Sequence, residues 1–441
     1  TAVASSGEFV SLTADRMNLA GNVSVASNTR QVNLQPRSSG GARPVDIGGA
    51  DNNNLTGAGG TLGLDTTELS HISAGTLRIG VGSAGNITFT GGSNIDLTSF
   101  NLAANISSGT ISQSANSTIT AGNLKLGASG ANITLNQANN VTGNFAAVGG
   151  SLSFTNAGNL TIGSVDGTSG VISTGGSGNF SLTSTSGGIT VNNLVDTTSG
   201  SGAVNLTAAT TVTLAVAGGI DSGAGNVTLR GDSGGTGLNG AITIGRPVRV
   251  FGVNNNVTTL QGTSVALTGT GLVNAGSTSG TVRFFTSDPT KTMGVGTAAG
   301  DFTVNSTTLG NVTAKNLVFG DSTAQVGDIA FKAVDVSTGN QNVTAAQTAA
   351  GAGKIALDDT ANTVVALKTG SGNVDLAAGT AGIQAASATN TTAEVASSGA
   401  VTLNTTGPIG TSTNSIEFDS TNTPSSIVIG QTNAPASGGV F

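Results

Sequence analysis

The chain has 441 residues, 69 of them glycine; only 8% are charged and 3% aromatic, and Cys, Trp and Tyr are absent. A net charge of −7 with no basic stripe leaves nucleic acid without phosphate-neutralising groups, zero Cys excludes disulfides and thiolate metal sites, and no run approaches the roughly 18–20 apolar residues of a membrane helix. A disordered linker is excluded too, because hydrophobic residues reach 37% and sit at alternating positions, and collagen is excluded because Gly does not recur at every third position.

The chain opens Thr1-Ala2-Val3-Ala4-Ser5-Ser6-Gly7-Glu8, without the basic and apolar regions of a signal peptide. It reads as a mature or internal piece of a longer product. Phe9-Val10-Ser11-Leu12-Thr13 and Asn22-Val23-Ser24-Val25 alternate with period two and predict strands rich in β-branched residues. Val32-Asn33-Leu34 is a further strand. It is followed by a loop from Pro36 to Pro44, by Val45-Asp46-Ile47-Gly48, and by a polar excursion at Asp51-Asn52-Asn53-Asn54. Asp65-Thr66-Thr67-Glu68-Leu69-Ser70-His71-Ile72 is the best helical candidate, one or two short turns at most: Asp65 is placed to cap it and Glu68 to complete a capping box. Leu77-Arg78-Ile79-Gly80 returns to strand.

From residue 85 onward one short unit recurs: a turn glycine, usually an asparagine, then apolar–polar–apolar. It reads Gly85-Asn86-Ile87-Thr88-Phe89, Gly158-Asn159-Leu160-Thr161-Ile162, Gly178-Asn179-Phe180-Ser181-Leu182 and Gly225-Asn226-Val227-Thr228-Leu229, and it returns at Gly372 and Gly399. The glycines fall about 15 to 24 residues apart, the scale of one solenoid coil. No such strand closes a core alone. Stacking in register does so, and roughly twenty coils at about 4.8 Å each would make an elongated rod of about 90–100 Å.

A longer repeat lies above the coil repeat. Residues 282–336 echo 32–97: Val282-Arg283-Phe284 matches Val32-Asn33-Leu34, Val295-Gly296 matches Ile47-Gly48, and Leu309-Gly310-Asn311-Val312 matches Leu69-Ser70-His71-Ile72. Leu317-Val318-Phe319-Gly320 then matches Leu77-Arg78-Ile79-Gly80, and Val334-Asp335-Val336 matches Ile95-Asp96-Leu97. A truncated third copy is expected from Ile416-Glu417-Phe418 through Ile427-Val428-Ile429-Gly430. The whole chain, 1–441, is expected to be a single continuous all-β solenoid.

These coils, with the cassette from Val45-Asp46-Ile47-Gly48-Gly49-Ala50 to Leu77-Arg78-Ile79-Gly80, resemble the large bacterial exoproteins related to filamentous haemagglutinin. The resemblance covers essentially the whole chain. It implies a right-handed parallel β-helix on a Gram-negative cell surface, exported by two-partner secretion or as an autotransporter. The Asn-Pro-Asn-Gly/Leu signature of the first route is not in these residues, so the route stays open. The absence of Cys suits transit of an unfolded chain through a pore.

Few residues could carry chemistry. Glutamate occurs only at Glu8, Glu68, Glu394 and Glu417, and His71 is the sole histidine, with Asn311 at its place in the second cassette. Asp358-Asp359 is an adjacent acid pair, but neighbours on a strand face opposite ways. The chain is therefore expected to be non-catalytic, with no cofactor. Gly231-Asp232-Ser233-Gly234-Gly235 and Gly48-Gly49-Ala50-Asp51 lack the nine-residue tandem of a calcium β-roll, and turn chemistry explains them. No metal site is expected.

Arg230-Gly231-Asp232 is the sharpest short motif. It follows the strand ending at Leu229 in a Gly-rich loop, where exposure is expected, and it resembles an integrin-type cell-attachment signal; an ordinary turn is the competing explanation. Asn-x-Ser/Thr sites at Asn86, Asn132, Asn159, Asn179, Asn226 and Asn311 arise from the coil unit itself and are expected to form ladders along the stack rather than to carry glycans. The expected role is that of a secreted or cell-surface adhesive or structural shaft, with a filament subunit as the alternative. Expected partners are further coils, head-to-tail copies, or a ligand on a host or neighbouring cell.

Overall fold

The computed structural model describes residues 3–7, 9–26, 29–37, 42–49, 60–81, 84–252, 255–359, 364–386 and 392–431. The polar excursion at Asp51-Asn52-Asn53-Asn54, Glu8, and parts of the 36–44 loop and of the expected third cassette lie outside them. The chain divides into two compact units, Thr1–Ala208 with Thr213–Gly225, and Ala209–Val212 with Asn226–Phe441. Each unit is a parallel β-solenoid.

In the first unit, apolar residues of successive coils stand over one another in unbroken register. One column runs Val10, Val32, Leu77, Leu102, Leu124, Phe145. A second runs Val45, Ile87, Ile111, Ile133, Leu152, Phe180, Val204. From Val32 in the first column, and throughout the second, these side chains are 0–1% exposed, so the core is a stack of inward triplets. The alternation within each coil causes this: inward positions are Val, Ile, Leu or Phe and outward ones mostly Thr, Ser or Asn, and parallel pairing keeps inward over inward.

The second unit repeats the scheme. Val282, Leu317, Val343, Val374, Val401 and Ile427 form one column. Met293, Ile329, Ile355 and Ile383 form another. Val334, Leu367 and Val395 form a third.

The two cassettes share a detour that plain coils lack. Strand Arg43–Ile47 pairs on one side with the next coil, Ala84–Phe89, and on the other with an inserted strand, Leu62–Leu64. Strand Met293–Gly296 does the same between Ile329–Lys332 and Phe302–Asn305. Each inserted strand feeds a one-turn helix, α1 (Thr66–Ser70) and α2 (Ser306–Gly310). The expected capping box is present: the Asp65 carboxylate accepts from the Glu68 N–H at 2.8 Å, and the Asp65 N–H donates to Glu68 Oε2 at 3.1 Å. Asn305 caps α2 in the same way, accepting from the Thr308 N–H at 2.8 Å. Gly80 and Gly320 end equivalent strands at φ +92° and +75°, where a Cβ would meet the Asn105 or Ala346 carbonyl oxygen at 2.1 or 2.5 Å. Both positions therefore require glycine.

The third cassette does not have the expected register. Phe418 bridges Val395, which places residues 416–418 in the column of Val334 rather than in that of Val282. The strand that occupies the Val282 column is Ser426–Gln431. An apolar–polar–apolar triplet fits any face of a coil, so sequence likeness alone did not select the face.

Phe319 stacks on Phe284 with centroids 5.4 Å apart and meets Phe331 edge-on at 5.6 Å. It is fully buried. Phe319→Ala is expected to cost about 3–5 kcal/mol through lost burial and an unfilled cavity, read as a lowered urea midpoint, whereas Thr344→Ala on the outer face of the next coil should shift it little.

Candidate functional site

Arg230 ends strand Val227–Arg230, whose Val227 and Leu229 point into the core. The chain then turns through Asp232 at φ +50°, a left-handed conformation that Asp tolerates. Asp232 is 2% exposed. Its Oδ1 accepts from the Thr236 N–H at 3.1 Å and the Thr236 hydroxyl at 2.8 Å. Its Oδ2 accepts from the Gly237 N–H at 2.6 Å and the Ser287 hydroxyl at 2.8 Å. Arg230 is half-buried, with Nη2 donating to the Ser233 carbonyl at 3.0 Å.

The expected exposure of the tripeptide is thus corrected for Asp232. Its carboxylate organises the 232–237 loop and pins it to Ser287, and is not presented to solvent. Burial works against its charge, but the hydrogen bonds from Ser287, Thr236 and Gly237 outweigh burial and hold its pKa below the ordinary value. The stability it contributes is present above the unfolded carboxylate value and is lost as pH falls through the lower folded one.

A cleft of about 140 Å³ lies beside this loop, with Asp288, Lys291 and Asp301 among its walls. Its acids are engaged locally. Asp288 Oδ1 accepts from the Thr290 N–H at 2.9 Å and hydroxyl at 2.7 Å. Asp301 Oδ2 accepts from the Thr292 N–H and hydroxyl, both at 3.0 Å. The first arrangement is a general device, Asp-x-Thr or Asp-x-Ser, which recurs at Asp96, Asp196, Asp321, Asp335 and Asp419. Hydrogen bonds from the threonine hold the carboxyls of Asp96, Asp288 and Asp419 below the usual range. The pattern is legible in sequence as a side-chain-closed turn.

The asparagines of the coil unit do bridge coils, mostly to backbone. Asn86, Asn179 and Asn226 accept through Oδ1 from the N–H groups of Thr110, Ala203 and Val257 at 2.8–2.9 Å. Amide-to-amide rungs join Asn123 to Asn101 and Asn342 to Asn316, each at 2.8 Å. His71 is a helix C-cap, its Nδ1 lying 2.6 Å from the Leu19 carbonyl oxygen, and Asn311 caps α2 in its place. Among the described residues, no three His, Asp or Glu side chains converge in a way that could hold a metal ion.

One polar cluster in the first unit was not anticipated. Arg78, Ala103, Lys125 and Ala146 form an outward column. Ala103 and Ala146 are nonetheless fully buried. An antiparallel hairpin, Ser164–Val165 with Thr168–Ser169, turns at Asp166 and Gly167, both at positive φ, and packs against this region of the sheet. Asp166 receives Arg78 through Nε at 3.0 Å and Nη2 at 2.6 Å, and lies 3.6 Å from Lys125 Nζ. The hairpin is clamped by charge across a sequence gap of 88 residues.

Comparison with family models, with curated proteins and with solved structures returned no match.

Asp166→Ala leaves Arg78 and Lys125 facing each other without their carboxylate. It should cost about 2 kcal/mol, within the range for hydrogen bonds to charged groups, and should speed limited proteolysis within residues 163–170, while Asp96→Ala should leave that rate unchanged. Asp232→Ala should lower thermal stability and leave the binding of animal cells to the immobilised protein unaltered; a loss of cell binding without a loss of stability would restore the attachment reading.

Proposed function

We propose that this chain is the shaft of a secreted or cell-surface bacterial protein, structural or adhesive in role and non-catalytic, of the exoprotein kind that its coils and cassettes resemble. The supporting observation is the chemistry of the coil exterior. In the first unit the outward column Asp46, Thr88, Ser112, Thr134, Ser153, Ser181, Asn205 carries one charge, at Asp46, and otherwise hydroxyls and one amide. Such a surface is well hydrated, holds its shape through the backbone ladder, and spends its acids on closing turns. These are properties of a stiff spacer or of a surface that makes many weak polar contacts.

Expected partners are further coils of the same protein and a ligand on a host or neighbouring cell. Electron microscopy of the purified chain should show discrete particles of finite length. Antibodies to it should label intact source cells. Indefinite fibres would favour an extracellular filament subunit instead, and labelling that requires permeabilised cells would overturn a surface location.

A further inference from the structure

Besides Asp232, the second unit buries two carboxyl side chains, Asp359 and Glu394, each 1% exposed. They come from successive coils: Asp359 follows strand Lys354–Leu357, and Glu394 precedes strand Val395–Ser397. Asp359 Oδ1 is buried without a hydrogen-bond partner. Glu394 Oε2 accepts from the Glu417 N–H at 2.6 Å. The Glu394 carbonyl accepts from the Leu367 N–H at 3.0 Å, and the Val395 N–H donates to the Glu417 carbonyl at 3.2 Å. Glu394 is thus the joint of three consecutive coils, around 367, 395 and 417.

The charges around this joint are mostly of one sign. Asp359 and Glu417 repel a charge on Glu394, while Asp358 repels and Lys332 attracts a charge on Asp359. Lys332 Nζ lies 3.0 Å from Asp358 Oδ2 on the outer side. Two like charges held inside a coil cost several kcal/mol unless one is neutralised. A proton on Glu394 removes its repulsion with both Asp359 and Glu417, and a proton on Asp359 relieves part of it.

We propose that Asp359 and Glu394 form a proton-operated latch: in mildly acidic solution the protonated pair holds the coils around 367, 395 and 417 together, and its ionisation above neutrality loosens them. Burial, with added repulsion from Asp359 and Glu417, pushes the Glu394 carboxyl up from 4.5 to about 7. Burial, reinforced by Asp358, also raises Asp359. The folded chain therefore holds the proton more tightly than the unfolded one. The contribution is fully present below 4.5 and is lost as pH rises through about 7.

Hydrogen exchange on the whole chain, near pH 5 and near pH 8 and corrected for intrinsic rates, tests the latch. Protection of strands Leu367–Gly370 and Val395–Ser397 should fall by about tenfold or more between the two. The ceiling is about 300-fold, from the gap between 4.5 and about 7. Strand Val204–Ala208 in the first unit should not change. Glu394→Gln should abolish the fall and keep the strands protected near pH 8, and Asp359→Asn should reduce it. The second variant carries the test if the first does not fold. Equal protection of the parent chain at both pH values would overturn the latch, as would a Glu394→Gln variant that keeps the full pH dependence. Recovery of protection near pH 8 on adding calcium would overturn it in favour of a cation site.

Discussion

Everything in both units depends on the register of parallel backbone hydrogen bonds between successive coils. Parallel strands exchange evenly spaced bonds, so a residue sits directly over its counterpart one turn earlier. Phe180 therefore lies on Leu152 and under Val204, and Ser181 lies between Ser153 and Asn205. A slip of one residue would turn every apolar side chain outward, which is why the alternation is kept so strictly. The corners are the weak points of such a ladder, because the turning backbone leaves carbonyls unpaired. Buried polar side chains close them. Asn156 Nδ2 donates to the carbonyls of Gly158 and Asn159 at 3.2 and 2.8 Å, and Ser184 donates to Gly158 at 2.7 Å. In the second unit Thr369 and Ser397 both donate to the Gly372 carbonyl, at 2.7 and 2.8 Å. The interior is thus apolar along the faces and hydrogen-bonded at the bends.

The same economy governs charge. Six acids outside the interior close their own turns with a threonine or serine two residues on, as Asp96 and Asp419 do. Asp232 closes a larger loop and ties it to Ser287. Asp166 fastens a hairpin to a sheet face. An acid spent in this way is a poor general acid and a poor ligand, because its lone pairs are occupied and its ionised form is stabilised. Glu394 and Asp359, like Asp46 and Asp375, are of the other kind: burial raises their carboxyls above the ordinary value.

Several elements were legible from local pattern. The capping box at Asp65 and Glu68 marked α1, because both partners lie within one turn of chain. The matching stretch of the second cassette, Leu309-Gly310-Asn311-Val312, was legible only as a repeat; that α2, Ser306–Gly310, ends within it came from the structure. Asp358 and Asp359 do lie on opposite sides, one half-buried and the other interior. Between 340 and 398, where the coil unit is less regular in sequence, the described strands still stack, Val343 under Val374 and Leu367 under Val395, with one register shift between Lys368 and Gly370. What failed was longer in range. The burial of Asp232 depends on Ser287, 55 residues away. Asp166-Gly167 reads as a tight hairpin turn, but nothing near it announces Arg78.

By itself the sequence determined the kind of object. Period-two alternation, turn glycines at coil spacing and the low charge point to stacked parallel strands, because a repeat of coil length brings each inward triplet over the next. It also determined where the stack is interrupted, since the cassettes repeat a helix cap and a glycine that only those bends require. The tertiary structure alone decided which face each triplet occupies, as residues 416–418 show, because identical triplets are interchangeable until their neighbours are in place. It likewise decided the fate of each acid, exposed, spent on a turn or buried beside another, because a carboxyl takes its chemistry from the coils above and below it, about two dozen residues or more away along the chain.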